Sequence, residues 1–189
     1  NNKDSYLNNK YGETSVVNSF VARYPGDRGN SISVIVFANG TAWTSNTSNT
    51  SDPMYTFARN FDFAPNTTPY VSQVTNGALT GDEIHVLVVD RGGLITGQAN
   101  TVLEKYQGLS VLSDAVDPTG GSNYYKEVLW RKSRYVYDVG HPTSNTTGWG
   151  GVVLSTSAIG KDAEQNVAAF TNGSSGTVAA GNTQTAYSL

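Results

Sequence analysis

The sequence predicts an α+β domain in which a sandwich-like, mixed β-sheet layer is flanked by a few short helices. Apolar segments have the length of strands, and Gly, Pro and Asn turn signals separate them. Helical periodicity is confined to short stretches, so strands dominate the pattern. The 189 residues suit one domain, which we assign to residues 15–189. Residues 1–14 are polar, and we interpret them as a flexible end or an excision scar.

Composition excludes several classes of protein. The absence of cysteine rules out disulfides and thiolate metal sites, so stability must come from a packed core. Charged residues form only 14% of the chain and the net charge is −3, which does not favour nucleic-acid binding because phosphate contacts need clustered Lys and Arg. No apolar run approaches the ~20 residues of a membrane-spanning helix, so we expect no direct membrane insertion. The chain begins at Asn1 without Met, and we interpret it as a fragment of a longer protein.

Two segments give the clearest strand signals. Residues 31–38 alternate, with Ile32, Val34 and Val36 on one face. The other face gains apolar residues toward the end of the strand. We therefore expect the strand to run from a sheet edge into the interior. Residues 83–90 are apolar on nearly both faces, which predicts a central strand.

Weaker signals complete the first half of the chain. Residues 16–24 have helix-like spacing but many β-branched residues, so helix and strand both remain open. The other elements predicted here are a turn at Asn39-Gly40, a surface loop at 41–51, an irregular aromatic cover over the core at 53–69, and a short strand at 70–74 closed by Asn76-Gly77.

The second half contains one predicted helix, at residues 122–131, with Ser122 as its N-cap. Tyr125, Val128 and Leu129 share one face of it. The other predicted elements are a turn at Gly92-Gly93, strand segments at 101–106 and 109–112 with a break at Gly108, a turn at 117–121, and strands at 134–139 and 151–155.

Candidate catalytic residues are few. His85 and His141 are the only histidines, and neither belongs to a metalloprotease or serine-hydrolase motif. We expect His85 on a strand face and His141 in a loop. Asp82, Glu83 and Asp90 do not form an opposed carboxylate pair, because adjacent strand residues point to opposite faces and Asp82 and Asp90 lie ~27 Å apart along an extended strand. We interpret all three as solvated residues at strand ends.

Two further patterns have alternative interpretations. Gly92-Gly93 with Gly97 matches no phosphate-binding motif, so we predict a hairpin turn. The aromatic residues could either stack on sugars or pack a thin β core, and we favour packing because aromatics dominate core burial. These aromatics are Trp43, Tyr55, Trp130 and Trp149.

Three runs occur in a recognisable order. The run FVARYPGDRGNSISV at residues 20–34 places a Pro-Gly and Gly-Asn loop before an alternating strand. The run DEIHVLVVD at residues 82–90 precedes Gly92-Gly93 and then VLEKY at 102–106, and SNYYKEVL at 122–129 precedes SRYV. Together these motifs resemble those of the tail sheath proteins of contractile bacteriophages, the myoviruses.

The resemblance implies a protruding, β-rich domain of a sheath subunit and no enzymatic activity or cofactor. It implies structural roles for Tyr24, Pro25, Gly26, Gly29, Asn30, Asp90, Gly92, Gly93, Leu103 and Glu104. The implied partners are other sheath subunits in a helical assembly and, for the full-length protein, the inner tail tube. Contraction drives that tube through the host envelope. The implied location is the exterior of the virion tail, after synthesis in the bacterial cytoplasm, and we expect the isolated fragment to be monomeric.

Two other functional classes remain open from the sequence. Asn- and Thr-rich loops with Trp residues are compatible with a carbohydrate-binding or adhesin-like β-sandwich. A hydrolase would depend on Asp82, Glu83 and Asp90 alone, and the spacing of these residues argues against it.

Overall fold

The computed structural model describes residues 20–24, 26–142, 147–160 and 166–170. This part of the chain is α+β, as predicted. All its strand pairings are antiparallel, so the prediction of a mixed sheet is wrong for the described residues. The predicted flexible end at 1–14 lies outside the described residues. The elements in chain order are β1 (Phe20–Ala22), α1 (Asp27–Asn30), β2 (Ile32–Phe37), α2 (Gly40–Ser48), α3 (Tyr55–Ala58), α4 (Pro69–Val74), β3 (Glu83–Asp90), β4 (Thr101–Ser110), α5 (Tyr125–Lys132), β5 (Val136–Asp138) and β6 (Asn166–Ala169).

A four-stranded sheet with the order β4-β3-β2-β6 organises the fold, and a separate ribbon pairs β1 with β5. Strand β3 pairs along its length with β2 on one side and β4 on the other, and all its residues are buried. The prediction of a central strand at 83–90 is therefore confirmed.

The expectation that the strand at 31–38 begins at a sheet edge is wrong. Strand β2 pairs with β3 along its whole length and also with β6 through residues 33–36, and every residue of β2 is buried. The second partner comes from residues 166–169, where the sequence NVAA contains a single β-branched residue and gives little strand signal. The sequence of β2 alone does not reveal that partner.

Both faces of the sheet are covered. Successive strand side chains alternate between faces, so Val34 and Val86 enter one cluster, and Ile35 and Leu87 enter the other. The second cluster includes four residues of the 53–69 segment: Met54, Phe57, Ala58 and Phe61. The predicted aromatic cover is therefore confirmed, although this segment also contains helix α3.

Two helices occupy segments predicted as loop or strand. Residues 41–51 were expected to form a loop, but helix α2 begins at Gly40, and the Asn39 side-chain oxygen accepts a hydrogen bond from Ala42 N at 2.9 Å. Asn at an N-cap satisfies a free N–H of the first turn, and this local signal outweighs the Thr- and Ser-rich composition. The predicted strand at 70–74 is helix α4, with Thr68 as N-cap and Pro69 in its first turn.

Other boundaries also differ from expectation. Strand β4 continues through Gly108, which has a φ of 74°, and a register shift replaces the predicted break. Helix α5 begins at Tyr125 without a side-chain cap, so Ser122 is not its N-cap. Residues 151–155 form turns in place of the predicted strand, with Ser155 N donating to Val152 O at 3.0 Å.

Candidate functional site

The carboxylate of Asp90 organises the loop between β3 and β4. Asp90 is fully buried, and its carboxylate accepts hydrogen bonds from Gly93 N at 2.9 Å, Ile95 N at 3.0 Å, Thr96 N at 2.8 Å and Thr96 Oγ1 at 2.9 Å. The hydroxyl of Ser31 donates a further bond. Burial alone raises the pKa of Asp90, but the bonds from Ser31, Thr96 and Ile95 outweigh it and lower the pKa to about 2. The residue is therefore a charged structural anchor.

The two glycines after Asp90 let this loop approach β2. A Cβ at Gly92 would lie 2.8 Å from Ser31 Oγ, so a side chain there would collide with the start of β2. Gly93 has a φ of 77°, a conformation that glycine adopts at little cost. The hairpin prediction for Gly92-Gly93 is confirmed, because the loop joins the antiparallel strands β3 and β4.

The segment from Gly26 to Asn30 differs in secondary structure from the loop that we expected. We predicted a loop that leads directly into the strand, but residues 27–30 form the single helical turn α1 after Gly26, whose φ is 80°. Gly29 is buried, and a Cβ there would lie only 2.7 Å from Tyr24 O. Gly29 is therefore required for close backbone approach. Pro25 lies outside the described residues.

Glu104 joins β4 to the turn after helix α5. Its two carboxylate oxygens accept from Ser133 Oγ and from Arg134 N, each at 2.7 Å. Leu103, the preceding residue, is partly buried against the larger core cluster. Tyr24, also singled out by the sequence, is 44% exposed and packs its ring 5.8 Å from that of Tyr135.

The interpretation of Asp82, Glu83 and Asp90 as solvated strand ends is wrong, since all three are buried. Asp82 accepts from Thr68 N at 2.8 Å, Thr68 Oγ1 at 2.7 Å and Ser110 Oγ at 2.6 Å. Glu83 accepts from the backbone N of residue 66 at 2.9 Å. These donors come from distant segments of the chain, which strand-end composition does not reveal.

The two histidines occupy the predicted kinds of position. His85 lies on β3, fully buried, with Nε2 2.8 Å from Phe63 O and Nδ1 accepting from Gly108 N at 3.1 Å. These contacts assign the proton of the neutral ring to Nε2. His141 follows β5 in a loop, with Nδ1 2.7 Å from the hydroxyl of Tyr125.

The tryptophans pack against the protein itself. Trp43 Nε1 donates to Ala58 O at 3.0 Å, and the Trp130 ring lies 5.4 Å from that of Tyr137. Trp149 is buried, and its Nε1 donates to Gly160 O at 3.1 Å. The packing interpretation is therefore confirmed for these three side chains.

The part of the chain that the structure describes offers few features of a ligand site. No group of three or more His, Asp or Glu side chains is arranged there to hold a metal ion. A shallow, open groove of about 470 Å³ runs along helix α2 and is lined by glycine and hydroxyl side chains: Gly40, Thr41, Thr44, Ser45 and Ser48. None of the described helices has the length and apolar character to cross a bilayer.

Comparison with known proteins gives no family assignment. No protein-family model matches the chain, and no curated protein shows significant sequence similarity to it.

Proposed function

We propose that this chain is a structural domain of a contractile bacteriophage tail sheath, and that it performs no catalysis and needs no cofactor. The observation that supports this best is the contact between the motifs that carry the resemblance. Ser31, which belongs to the first motif, donates a hydrogen bond to Asp90 of the second. Glu104 bonds Ser133 and Arg134 of the third. These hydrogen bonds link segments that are distant in the chain. The resemblance implies such a structural role for Asp90 and Glu104.

The packing of the two sheets supports the finer, sandwich-like part of the proposal. Phe20 of β1 and Val136 of β5 lie in the same buried cluster as Ile32 and Val34 of the four-stranded sheet. A common core between two sheets is what a sandwich-like layer requires.

The proposed partners are other copies of the sheath subunit in a helical array on the exterior of the virion tail. In the full-length protein they also include the inner tail tube, which contraction drives through the host envelope. The isolated chain is expected to be monomeric, because the proposal assigns assembly to parts of the subunit beyond this domain. Sedimentation velocity tests this point, and long tubes formed by the isolated chain would contradict the division of roles.

Immunoelectron microscopy of phage particles tests the sheath assignment itself. Gold-labelled antibodies raised against the isolated chain should decorate the tail at a regular spacing along its length, before and after contraction. Antibody adsorbed with the purified chain is the control. Labelling confined to the head, baseplate or fibres would overturn the assignment.

The carbohydrate-binding alternative lacks comparable support, because the N–H groups of Trp43 and Trp149 and the ring of Trp130 form contacts within the protein. A glycan array reporting micromolar binding that Trp43→Ala abolishes would reinstate it. The Trp149→Ala variant is less informative, because loss of this buried ring would also disturb the core.

A further inference from the structure

Two Asn-Gly pairs lie at opposite ends of helices in the described part of the chain. Asn39-Gly40 begins helix α2, whereas Asn76-Gly77 follows the C-terminal end of helix α4. Asparagine before glycine is chemically labile, because the next backbone nitrogen can reach the side-chain carbonyl carbon without a side chain in the way. The two pairs carry the same reacting groups, so their surroundings decide which of them reacts. A third pair, at 172–173, lies outside the described residues.

The structure holds the Asn39-Gly40 pair in place. The side-chain oxygen of Asn39 accepts a hydrogen bond from Ala42 N at 2.9 Å, and its backbone oxygen accepts one from Trp43 N at 3.2 Å. A Cβ at Gly40 would lie 3.2 Å from Pro65 O, so the backbone is closely packed there. Movement of the Asn39 side chain toward the Gly40 nitrogen therefore requires the first turn of α2 to open.

The Asn76-Gly77 pair is much less constrained. The Asn76 side chain is exposed, and no described residue forms a hydrogen bond with its carboxamide. Its φ of 50° is uncommon for a residue with a side chain. No described atom lies within 4 Å of the place that a Cβ at Gly77 would occupy. One hydrogen bond, from Gly77 N to Ser72 O at 2.9 Å, has to break before reaction, and ends of helices as short as α4 open at little cost.

We propose that Asn76 is a site of spontaneous deamidation in the folded chain, and that the N-cap role of Asn39 protects the Asn39-Gly40 pair. The backbone nitrogen of Gly77 attacks Cγ of Asn76, and a bond forms between them. The Cγ–Nδ2 bond breaks, and the amide nitrogen leaves as ammonia with the proton that Gly77 loses. Water then opens the cyclic imide at either carbonyl, which gives aspartate or isoaspartate. This inference does not depend on the sheath assignment.

The modification changes the end of helix α4 in two ways. Both products place a new carboxylate beside the C-terminal carbonyls of the helix, where the helix dipole disfavours negative charge. Isoaspartate also inserts a methylene group into the backbone between Ser72 and Gly77, whose hydrogen bond closes the turn. The same turn leads to Leu79, which is buried in the larger core cluster and donates from its backbone N to Thr75 Oγ1 at 3.2 Å.

Peptide mapping by mass spectrometry, after incubation of the folded chain in mildly alkaline buffer, tests the proposal. Trypsin separates the two pairs into peptides 29–59 and 60–91, and fragmentation locates the altered residue in each. Asn76 should convert at least about fivefold faster than Asn39, because an N-cap hydrogen bond alone corresponds to about fivefold in an opening equilibrium. Conversion of Asn39 at an equal or higher rate would overturn the proposal.

The same incubation in concentrated urea separates the effect of structure from that of local sequence. Unfolding releases both pairs, so the rates at Asn39 and Asn76 should come within about twofold of each other. A preference for Asn76 that persists unchanged in urea would show that neighbouring residues in the sequence select the site, and this would overturn the proposal. So would an Asn76 that converts in urea but stays intact in the folded chain over the same period.

Cleavage by hydroxylamine, which attacks the cyclic imide, gives a second readout. The folded chain should release fragments 1–76 and 77–189 before fragments 1–39 and 40–189. The variant Asn76→Gln is the matched control, because its longer side chain would have to close a larger and less favourable ring. It should lose the first pair of fragments and keep the rate of cleavage after Asn39. Release of fragments 1–39 and 40–189 first from the unmodified chain would overturn the proposal.

Discussion

Ser31 donates a hydrogen bond to the carboxylate of Asp90, although 59 positions separate the two residues in the chain. Asp90, the last residue of β3, pairs with Ile32, the first residue of β2. Ser31 is the residue immediately before Ile32. The same Ser31 hydroxyl accepts a bond from Leu94 N at 3.0 Å. One hydroxyl therefore links the start of β2, the end of β3 and the loop that follows.

Replacement of Asp90 by Asn should destabilise the chain by about 2–4 kcal/mol. The carboxylate accepts several bonds in a buried position, and an amide would direct its N–H groups toward some of the same donors. Urea unfolding measures the loss. The matched control is Asp62→Asn, because the Asp62 side chain is 81% exposed and pairs with Lys105 at 3.7 Å. This control should change stability by less than about 0.5 kcal/mol, and an equal loss in both variants would contradict the anchoring role.

Acid should remove the stabilising contribution of Asp90. Its folded-state pKa is about 2, below the ordinary 3.8, so the contribution is complete above pH 4 and disappears as the pH falls through 2. The difference corresponds to about 2 kcal/mol. Unfolding curves of the unmodified chain and of Asp90→Asn should therefore converge by this amount between pH 4 and pH 2. A constant gap across that range would contradict the assignment.

Substitution of either glycine at α1 by alanine should lower stability, but for a different physical reason at each position. Gly29→Ala places a Cβ 2.7 Å from Tyr24 O and should cost about 1–3 kcal/mol through backbone displacement. Gly26→Ala should cost about 1 kcal/mol, because Gly26 has a φ of 80°. Arg28→Ala, at an exposed position between them, should be nearly neutral. Thermal unfolding ranks the three variants, and a loss at Arg28 equal to that at Gly29 would contradict this order.

Glu104→Gln tests the joint between β4 and the turn after α5. The amide can accept only one of the two bonds now donated by Ser133 Oγ and Arg134 N, so we expect a loss of about 1–2 kcal/mol. Glu127→Gln is the control, because Glu127 is half-exposed and its i,i+4 pair with Arg131 lies within α5. It should cost at most about 0.5 kcal/mol in urea unfolding. Similar losses of stability in the two variants would contradict the structural role of Glu104.

The strongest strands could be predicted because their signal is local. β3 is almost continuously apolar, and this is sufficient to indicate burial on both faces. Composition misled the prediction for α2, where Thr and Ser suggested a loop, although the Asn39 cap was visible in the sequence. The second partner strand of β2 could not be predicted from the sequence of β2, because β6 lies in a segment far along the chain.

The sequence predicted the glycine turn of the candidate site, but it did not predict the hydrogen bonds of the buried carboxylates. Gly92-Gly93 marked a turn, whereas nothing local indicated that Ser31 would bond Asp90. The burial of Asp82 likewise depends on Thr68 and Ser110, which are remote in sequence. Buried carboxylates are satisfied by tertiary donors, and strand-end composition does not contain that information.

Val86→Asp should unfold the chain. Val86 is fully buried on the central strand, pairs with Val36 and Tyr106, and belongs to the larger core cluster. A carboxyl group there would lose its hydration among apolar side chains, at a cost of several kcal/mol against a total stability of ~5–15 kcal/mol.

Two controls separate burial from simple intolerance of substitution. Val152→Asp introduces the same group at a position that is 46% exposed, and it should change stability by less than about 0.5 kcal/mol. Val86→Thr keeps the shape of the side chain but buries one hydroxyl, and it should cost about 1–3 kcal/mol. Circular dichroism during thermal unfolding measures all three. A folded Val86→Asp variant with an unchanged melting temperature would show that β3 is not the centre of the core.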